Sequence, residues 1–321
     1  MRFKLVPDQT NFDFMRLKWA CLVLSVLMFV GTFVSLFAQG LNYGIDFAGG
    51  TLVQLKTEKV VDIADIRNSL KSQGWVGLVI QEYGAPDEIL IRIPGDLEKG
   101  QSAVMAEKVR SALDGLTKGT TVRRVEYVGP QIGAELKKRG LTAILLSCLA
   151  IVIYVSLRFE FRFGVAAVVA LVHDVLLTVG VFSFLQKEIT MPVLAAVLTI
   201  IGYSLNDTIV VFDRVRENMR RYKRKELSDV LNLSVNEMLN RTIMMTLTTL
   251  VVLVALFVWG GEVIHDFAFA LLFGVLVGTY SSTYIAAPVV LWMQRFNFGA
   301  EGKGTDGADD TAASDKSALS A

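Results

Sequence analysis

The chain has 321 residues, of which 53% are hydrophobic and 20% are charged, and its mean hydropathy is +0.49. It is far more apolar than a soluble domain of similar length, so the composition predicts a membrane protein. A formal net charge of +1 provides no basic field for nucleic acid, and the two cysteines, Cys21 and Cys148, lie in apolar runs, which argues against a disulfide framework.

A polar tail, residues 1–18, opens the chain and is followed by an apolar run at residues 19–38, about the 20 residues needed to cross a bilayer. We interpret this run as an uncleaved signal anchor, because its apolar core is longer than that of a signal peptide. Five further spans are predicted at residues 141–157, 163–185, 191–211, 243–259 and 264–292. The last is longer than one crossing needs, so we expect part of it to tilt or protrude.

The residues between the first two spans, 39–140, have the pattern of a water-exposed α+β domain. Alternating and helical spacings predict a strand at 51–57, a helix at 61–73, strands at 76–82 and 88–93 joined by a turn at 84–87, a helix at 97–116 and a strand at 121–128. This order is ferredoxin-like. No metal-ligand spacing, nucleophile beside a base or phosphate loop is present, so we expect contact or motion here, not chemistry.

The segment between the first span and this domain reads Gly44-Ile45-Asp46-Phe47-Ala48-Gly49-Gly50. Its glycines around Asp46 permit backbone angles closed to other residues, so the chain can turn sharply as it leaves the bilayer. A plain linker explains the spacing equally well.

The orientation follows from Lys and Arg in the short connections. Arg158 and Arg162 flank the second connection, and the fourth is the most basic; its members are Arg214, Arg216, Arg220, Arg221, Lys223, Arg224, Lys225 and Arg241. The positive-inside rule then places both termini in the cytoplasm and residues 39–140 in the periplasm. A basic group before the second span, Lys137-Lys138-Arg139, conflicts with this orientation, although long translocated domains largely escape the rule.

Carboxylates interrupt the fourth span. At about 100° per residue, Gly202, Asn206 and Asp213 share one face of a helix, whereas Asp207 points away from it. An ionised Asp at depth costs several kcal/mol, which favours a functional role. The alternative is that both Asp residues sit at the helix end in the headgroup zone.

The third span contains His173-Asp174, about 15 Å from Phe163 and near the bilayer centre. The pair could titrate, or it could be a satisfied polar contact between helices. In the sixth span, the small residues Gly274 and Gly278 predict close packing, within the bundle or toward a partner.

Two further segments lie on the predicted cytoplasmic side. An amphipathic segment at about 215–240, clearest at 226–241, is expected to lie on the membrane surface or to pack on the bundle as a short connecting helix. The tail, residues 297–321, has the composition of a disordered segment.

Three motifs together identify a family: residues 44–51, residues 128–133 (VGPQIG) and residues 202–218 (GYSLNDTIVVFDRVREN). With them, the chain resembles the SecF branch of the SecD/SecF family, over residues 10–296. The resemblance implies a mainly α-helical polytopic membrane protein of RND half-transporter type, with six transmembrane helices, a five-helix bundle at 141–296 and an inserted ferredoxin-like periplasmic domain.

The resemblance also implies a function: assisting protein export across the bacterial inner membrane with the proton-motive force. The partners it implies are SecD, the SecYEG channel, the small YajC subunit that often accompanies it, the translocating preprotein and membrane lipids. It implies no nucleotide, metal or other cofactor. No constellation of residues supports an enzyme.

The resemblance makes Asp213 the first candidate for a proton carrier and Arg241 its possible ion-pair partner. At 1.5 Å per residue from Met191, however, Asp213 lies about 33 Å along the helix, near the boundary of the bilayer, and Asp207 about 24 Å along, still in the core. Asp207 is therefore a second candidate, together with Asp174 and His173. Two other functions stay open: half of an RND-type small-molecule or ion transporter, and a structural subunit that carries no protons.

Overall fold

The computed structural model describes residues 10–75, 77–94 and 101–295. The first spanning helix, α1, is Lys18–Ala38. Many of its large apolar side chains are exposed, as suits a helix that faces lipid, whereas Ser25, Thr32 and Ser35 are buried. Small hydroxyl residues thus form the face with which α1 packs on the rest of the chain.

The inserted domain follows α1. Its elements are α2 (Ile45–Ala48), β1 (Gly50–Lys56), α3 (Ile63–Ser72), β2 (Val79–Tyr83), β3 (Ala85–Ile93), α4 (Gln101–Asp114) and β4 (Thr121–Val128). The strands form one sheet in the order β2-β3-β1-β4, with each neighbouring pair antiparallel. This is the ferredoxin-like arrangement that the sequence predicts.

The domain has its own apolar core between the sheet and its two longer helices. The most buried members are Val53, Leu55, Ile66, Leu70, Ile91, Val109 and Leu113. One boundary differs from the prediction: the turn predicted at 84–87 is confined to Gly84, and β3 begins at Ala85. Gly84 has φ +70°, a conformation that lets the chain reverse at this single position.

The remaining helices form the membrane bundle. They are α5 (Pro130–Arg158), α6 (Phe161–Phe184), α7 (Met191–Arg221), α8 (Leu227–Trp259), α9 (Glu262–Ser281), a π-helical turn (Ser282–Ala286) and α10 (Ala287–Arg295). With α9, the π-helical turn and α10 as one span, six helices in the described ranges are long and apolar enough to cross a membrane. The fold class predicted from the sequence is confirmed. Helices α6 and α7 contain the largest buried shares and form the centre of the bundle.

Helix α8 corrects the prediction of a separate amphipathic segment. The chain is helical without a break from Leu227 to Trp259, so the amphipathic part is the first half of a spanning helix. Its apolar face, Leu227, Leu231 and Val235, is buried against the bundle core around Phe163 and Phe212. Burial of this face against protein explains why the segment does not lie flat on a membrane.

The predicted small-residue interface lies within the bundle. A Cβ atom added at Gly274 would come within 2.3 Å of the Ile200 side chain on α7, and one at Gly278 within 3.1 Å of Ser204. The two glycines therefore allow α9 to approach α7 closely.

Candidate functional site

The bundle contains a buried carboxylate on α6, at the position predicted from the sequence. Asp174 is 0% exposed and His173 is 2% exposed. The Oδ1 atom of Asp174 lies 2.9 Å from His173 Nδ1, and its Oδ2 atom accepts hydrogen bonds from Ser204 on α7 and Ser281 on α9. Both carboxylate oxygens are thus satisfied inside the membrane region, as burial requires.

A second buried carboxylate lies one helical turn beyond Ser204. Asp207 is 8% exposed. Its Oδ1 atom accepts a hydrogen bond of 2.8 Å from Thr242 on α8, and its Oδ2 atom accepts one of 2.7 Å from Ser282. Ser281 and Ser282 are consecutive, so neighbouring residues join the two carboxylates.

These two serines lie at the junction between α9 and the π-helical turn. A π-helical turn places one extra residue in a helix and is frequent at functional sites. Consecutive helical residues point about 100° apart, which lets Ser281 face α6 while Ser282 faces α7.

A branch of the network reaches α1. His173 Nε2 lies 3.2 Å from Ser25 Oγ, Ser25 Oγ lies 3.0 Å from Tyr280 Oη, and the Tyr280 hydroxyl donates to the carbonyl of Cys21 over 2.6 Å. The helix that precedes the inserted domain is therefore bonded to the buried carboxylates.

Donor counting assigns the protons of this branch. A carbonyl oxygen only accepts hydrogen bonds, so the Tyr280 hydroxyl donates its one hydrogen to the Cys21 carbonyl. Ser25 must then donate to the Tyr280 oxygen. Consequently His173 Nε2 carries a proton and donates to Ser25. The contact between Nδ1 and Asp174 needs one more proton, on the ring or on the carboxyl group.

The hydroxyl groups suit a carboxylate that changes its protonation state. A serine or threonine hydroxyl donates to an ionised carboxylate and can rotate to accept from a protonated one. Among the described residues, no Lys or Arg lies within 4.0 Å of Asp174 or Asp207. Neutral hydroxyl groups therefore surround both carboxylates, with His173 beside Asp174.

Asp213 and Arg241 do not form the predicted ion pair. Both are exposed, and both line a cavity of about 380 Å³ between α5, α7 and α8. Within the described ranges, no cation lies within 4.0 Å of Asp213. Asp213 lies six positions after Asp207, which places the two carboxylates about 120° apart around the helix axis, on different faces of α7.

The predicted polar stripe on α7 is present, but it faces away from this chain. Gly202, Asn206 and Asp213 are all exposed, and a Cβ atom at Gly202 would meet no atom within 4 Å. Asp207, predicted to point away from this stripe, is the one that faces the bundle.

Sequence reasoning missed the hydroxyl partners. Ser204, Thr242, Ser281 and Ser282 are single small residues in apolar helices, and such residues are common there. A usable signal was present in α1, whose buried residues Ser25, Thr32 and Ser35 recur at spacings of seven and three on one helix face.

The glycine segment before β1 is a structural joint. Gly49 and Gly50 have φ values of +72° and +120°, and a Cβ atom at Gly50 would lie 2.7 Å from the carbonyl oxygen of Ile93. Only glycine fits there, so the segment is more than a plain linker. Asp46 accepts a hydrogen bond of 2.8 Å from the backbone N–H of Met191, at the start of α7. The joint thereby connects the inserted domain to the helix that carries Asp207.

Metal chemistry has no support in the described part of the chain, residues 10–75, 77–94 and 101–295. No group of three or more His, Cys, Asp or Glu side chains there could hold a metal ion.

Two family models match the chain. The model described as the SecD/SecF GG motif matches residues 34–59, and the one described as the C-terminal part of protein export membrane protein SecD/SecF matches residues 108–296. The protein translocase subunit SecF of Magnetococcus marinus is 51% identical over 289 residues, which cover 88% of this chain and 92% of the relative. That of Vibrio alginolyticus is 42% identical over 291 residues, covering 90% and 92%.

Solved structures agree. The crystal structure of SecDF, a translocon-associated membrane protein from Thermus thermophilus, aligns with a TM-score of 0.83 at 36% identity, over 92% of this chain and 40% of the SecDF chain. SecDF in a super-membrane-facing form aligns with a TM-score of 0.65 at 38% identity over the same shares. The present chain therefore spans less than half of the SecDF polypeptide.

Proposed function

The chain belongs to the SecD/SecF family of protein export membrane proteins, and on that premise we propose that its buried carboxylates use a proton gradient to promote export. It is an accessory subunit of Sec protein export. One observation carries the proposal: His173 lies 2.9 Å from the buried Asp174, and the adjacent residues Ser281 and Ser282 connect Asp174 to Asp207.

The energetics fit this role. Moving one proton across a potential of 100 mV releases about 2.3 kcal/mol, enough to bias a two-state helix packing by a factor of tens. Protonation of Asp207 would remove its charge and reverse the hydrogen-bonding role of the Ser282 or Thr242 hydroxyl. Because these hydroxyls lie on different helices, each proton step changes how α7 fits against α8 and the sixth span.

Asp207 and Asp174 are therefore the leading candidates, in place of Asp213. Asp213 contacts no other helix through an ion pair and lies at the exposed end of the stripe on α7. Within the described ranges, its protonation would break no ion pair.

The test compares Asp207→Asn and Asp174→Asn with the exposed control Asp213→Asn. We expect the first two to lose the part of precursor export into inverted vesicles that depends on the proton gradient. Asp213→Asn should retain it. Copurification with SecD checks that each variant assembles. If both buried variants respond to the gradient as the parent does, proton carriage through this site is wrong, while membership of the export machinery stands.

The remaining assignments extend the same proposal. SecD would supply the second half of the membrane assembly, and SecYEG, YajC, the preprotein and membrane lipids would be further contacts. The chain would lie in the bacterial inner membrane with both termini in the cytoplasm and residues 39–140 in the periplasm, and it would work without nucleotide, metal or catalysis of its own. Labelling a cysteine at Lys59 with an impermeant maleimide in spheroplasts tests this orientation, and an unlabelled cysteine there would contradict it.

A further inference from the structure

The inserted domain rests on the bundle around a cavity of about 580 Å³. Glu188 lines this cavity, from the loop between α6 and α7. Its side chain is 14% exposed, its Oε1 atom accepts a hydrogen bond of 3.2 Å from Gln81 on β2, and the same atom lies 3.8 Å from Arg92 on β3. Glu188 is thus a carboxyl group of the bundle held by two side chains of the inserted domain.

The ion pair with Arg92 is a weak one. At 3.8 Å, Arg92 is too far from Glu188 for a hydrogen bond, and its NH1 atom donates instead to the backbone carbonyl of Tyr43. Taking a carboxylate out of water costs several kcal/mol, and a distant cation recovers only part of that cost. The hydrogen bond from Gln81 favours the ionised form and lowers the pKa of Glu188, but by less than burial raises it.

Burial therefore raises the pKa of Glu188 above its ordinary value, more than Arg92 lowers it. Asp266 and Asp46 act in the same direction as burial, because each places a negative charge near Glu188. Other charged or titratable groups also face the cavity: Lys187 from the same loop, Glu82 from β2, Arg124 and Glu126 from β4, and His265 from α9. Lys187 is bound to Asp266 at 2.6 Å, so its charge is already paired.

The direction of the effect follows from linkage. If the domain moves away from the loop, Glu188 enters water and its pKa returns to the ordinary value. Glu188 then binds a proton more tightly when the inserted domain is closed on the loop than when it is open, so acidification favours closure. The ratio of closed to open molecules changes by about tenfold for each unit between the two pKa values.

We propose that Glu188 is a proton-binding site that couples the inserted domain to the bundle: its protonation closes the domain on the α6–α7 loop, and its ionisation loosens this contact. The site is separate from the carboxylates in the membrane and faces the compartment in which the domain lies. Since the loop leads into α7, and Asp46 holds Met191 beside it, closure fixes the start of the helix that carries Asp207.

The test measures the distance between the two parts as a function of pH, in nanodiscs and without a proton gradient. Spin labels are placed at Lys59→Cys on the inserted domain and Trp259→Cys at the end of α8, both exposed positions, after Cys21→Ala and Cys148→Ala remove the native thiols. Pulsed electron–electron double resonance measures the distribution of distances between the two labels, from which the fraction of closed molecules is obtained. We expect this fraction to rise as the pH falls from 8 to 5.

Variants identify the group that responds. Glu188→Gln, which keeps the hydrogen-bonding shape without a charge, should remain closed across the whole pH range. Asp266→Asn removes a charge that raises the pKa of Glu188, so the midpoint should move to lower pH. His265→Gln, which removes the histidine lining the cavity, and Lys56→Gln, which breaks an exposed ion pair with Asp87, should leave the response unchanged.

Two results would overturn the proposal. Opening on acidification, or opening in Glu188→Gln, would mean that the ion pair with Arg92 is the main attraction, with the opposite sign. A closed fraction that ignores pH, or one that follows His265, would remove Glu188 from the coupling. Because no gradient and no export are involved, these results do not depend on whether Asp174 and Asp207 carry protons.

Discussion

Ser281 and Ser282 determine the environment of the two buried carboxylates. Each donates a hydrogen bond to a carboxylate on a different helix, and neither adds a fixed charge. An arginine at either position would hold the neighbouring carboxylate ionised. A serine hydroxyl can rotate to accept from a protonated carboxyl group, as the proposed function requires.

Ser282→Ala tests this role. The change leaves the Oδ2 atom of Asp207 without its donor, and a buried acceptor without a partner costs about 1–3 kcal/mol. We expect the unfolding free energy in detergent to fall by that amount and gradient-dependent export to weaken. Ser282→Thr, which keeps the hydroxyl, should recover much of both. Thr248→Ala is a matched control because that hydroxyl bonds only to carbonyls of its own helix. Equal effects of Ser282→Ala and Thr248→Ala would contradict the assigned role.

For individual residues, the sequence indicated the buried carboxylates better than the side chains that contact them. Asp174, His173 and Asp207 are conspicuous because charged residues are rare in apolar helices. The pairing of Asp213 with Arg241 was wrong, because helical spacing gives the face of a residue but does not identify the helix that the face meets. Only the tertiary packing places Thr242, the neighbour of Arg241, against Asp207.

Helices α1 and α6 pack through small and hydroxyl residues along their length. A Cβ atom at Gly180 would lie 2.1 Å from Thr32 Oγ1 and 2.8 Å from Thr32 Cβ. Nearer the inserted domain, the Ser35 and Ser183 hydroxyls are 2.9 Å apart, and Ser183 also donates to the carbonyl of Gly40. This contact holds α1 in the position at which Ser25 reaches His173.

Gly180→Ala should separate the two helices. The branched Thr32 side chain cannot move its own Cβ atom away, so we expect a loss of about 1–3 kcal/mol in unfolding free energy, measured by thermal or detergent-induced unfolding. Gly202→Ala is the control, since nothing lies within 4 Å of that position, and alanine there should be neutral or stabilising by up to about 1 kcal/mol. Equal stabilities of the two variants would show that the α1–α6 contact is looser than the geometry implies.

Hydrophobic periodicity predicted the positions of most helices and strands, but it did not predict the extent of α8 or the β2–β3 turn. The predicted segments 215–240 and 243–259 belong mostly to one helix, α8, because an amphipathic stretch and an apolar stretch can follow each other without a breaking residue. Gly84 alone makes the β2–β3 turn, although Pro86 and Asp87 are also typical turn residues.

At the scale of the whole molecule, the exposed polar stripe on α7 indicates a contact with another protein. Polar groups rarely face lipid, yet Asn206 and Asp213 are exposed on the α7 stripe. The solved SecDF chain is more than twice as long as the part this chain matches. Both observations favour contact between the stripe and SecD.

A photoreactive amino acid at Asn206 should cross-link to SecD in membranes that contain both subunits. The reason is that only a protein neighbour would satisfy a polar side chain at this depth. The same probe at Leu145, a 61% exposed apolar residue on α5, is the control and should react mainly with lipid. Stronger cross-linking to SecD from position 145 than from 206 would place the interface on the other side of the bundle.

At the scale of the whole molecule, the order of the strands and the number of membrane spans were predicted best. The ferredoxin-like order and the six spans follow from local periodicity, which survives in any packing. The contacts of Glu188 with Gln81 and Arg92 could not be predicted, because residue 188 is distant in sequence from residues 81 and 92 and none of the three belongs to a motif.

Helix α8 has 33 residues and is therefore about 50 Å long, whereas the oily layer of a bilayer is about 30 Å thick. About two fifths of the helix therefore lies in water or among the headgroups, and α8 is helical without a break between that part and Thr242. That part packs on the bundle through Leu227, Leu231 and Val235, so a displacement of the bundle surface there would be transmitted along α8 to Thr242, whose hydroxyl donates to Asp207. A movement outside the membrane could therefore reach the buried Asp207 through the continuous helix α8, without a water-filled channel.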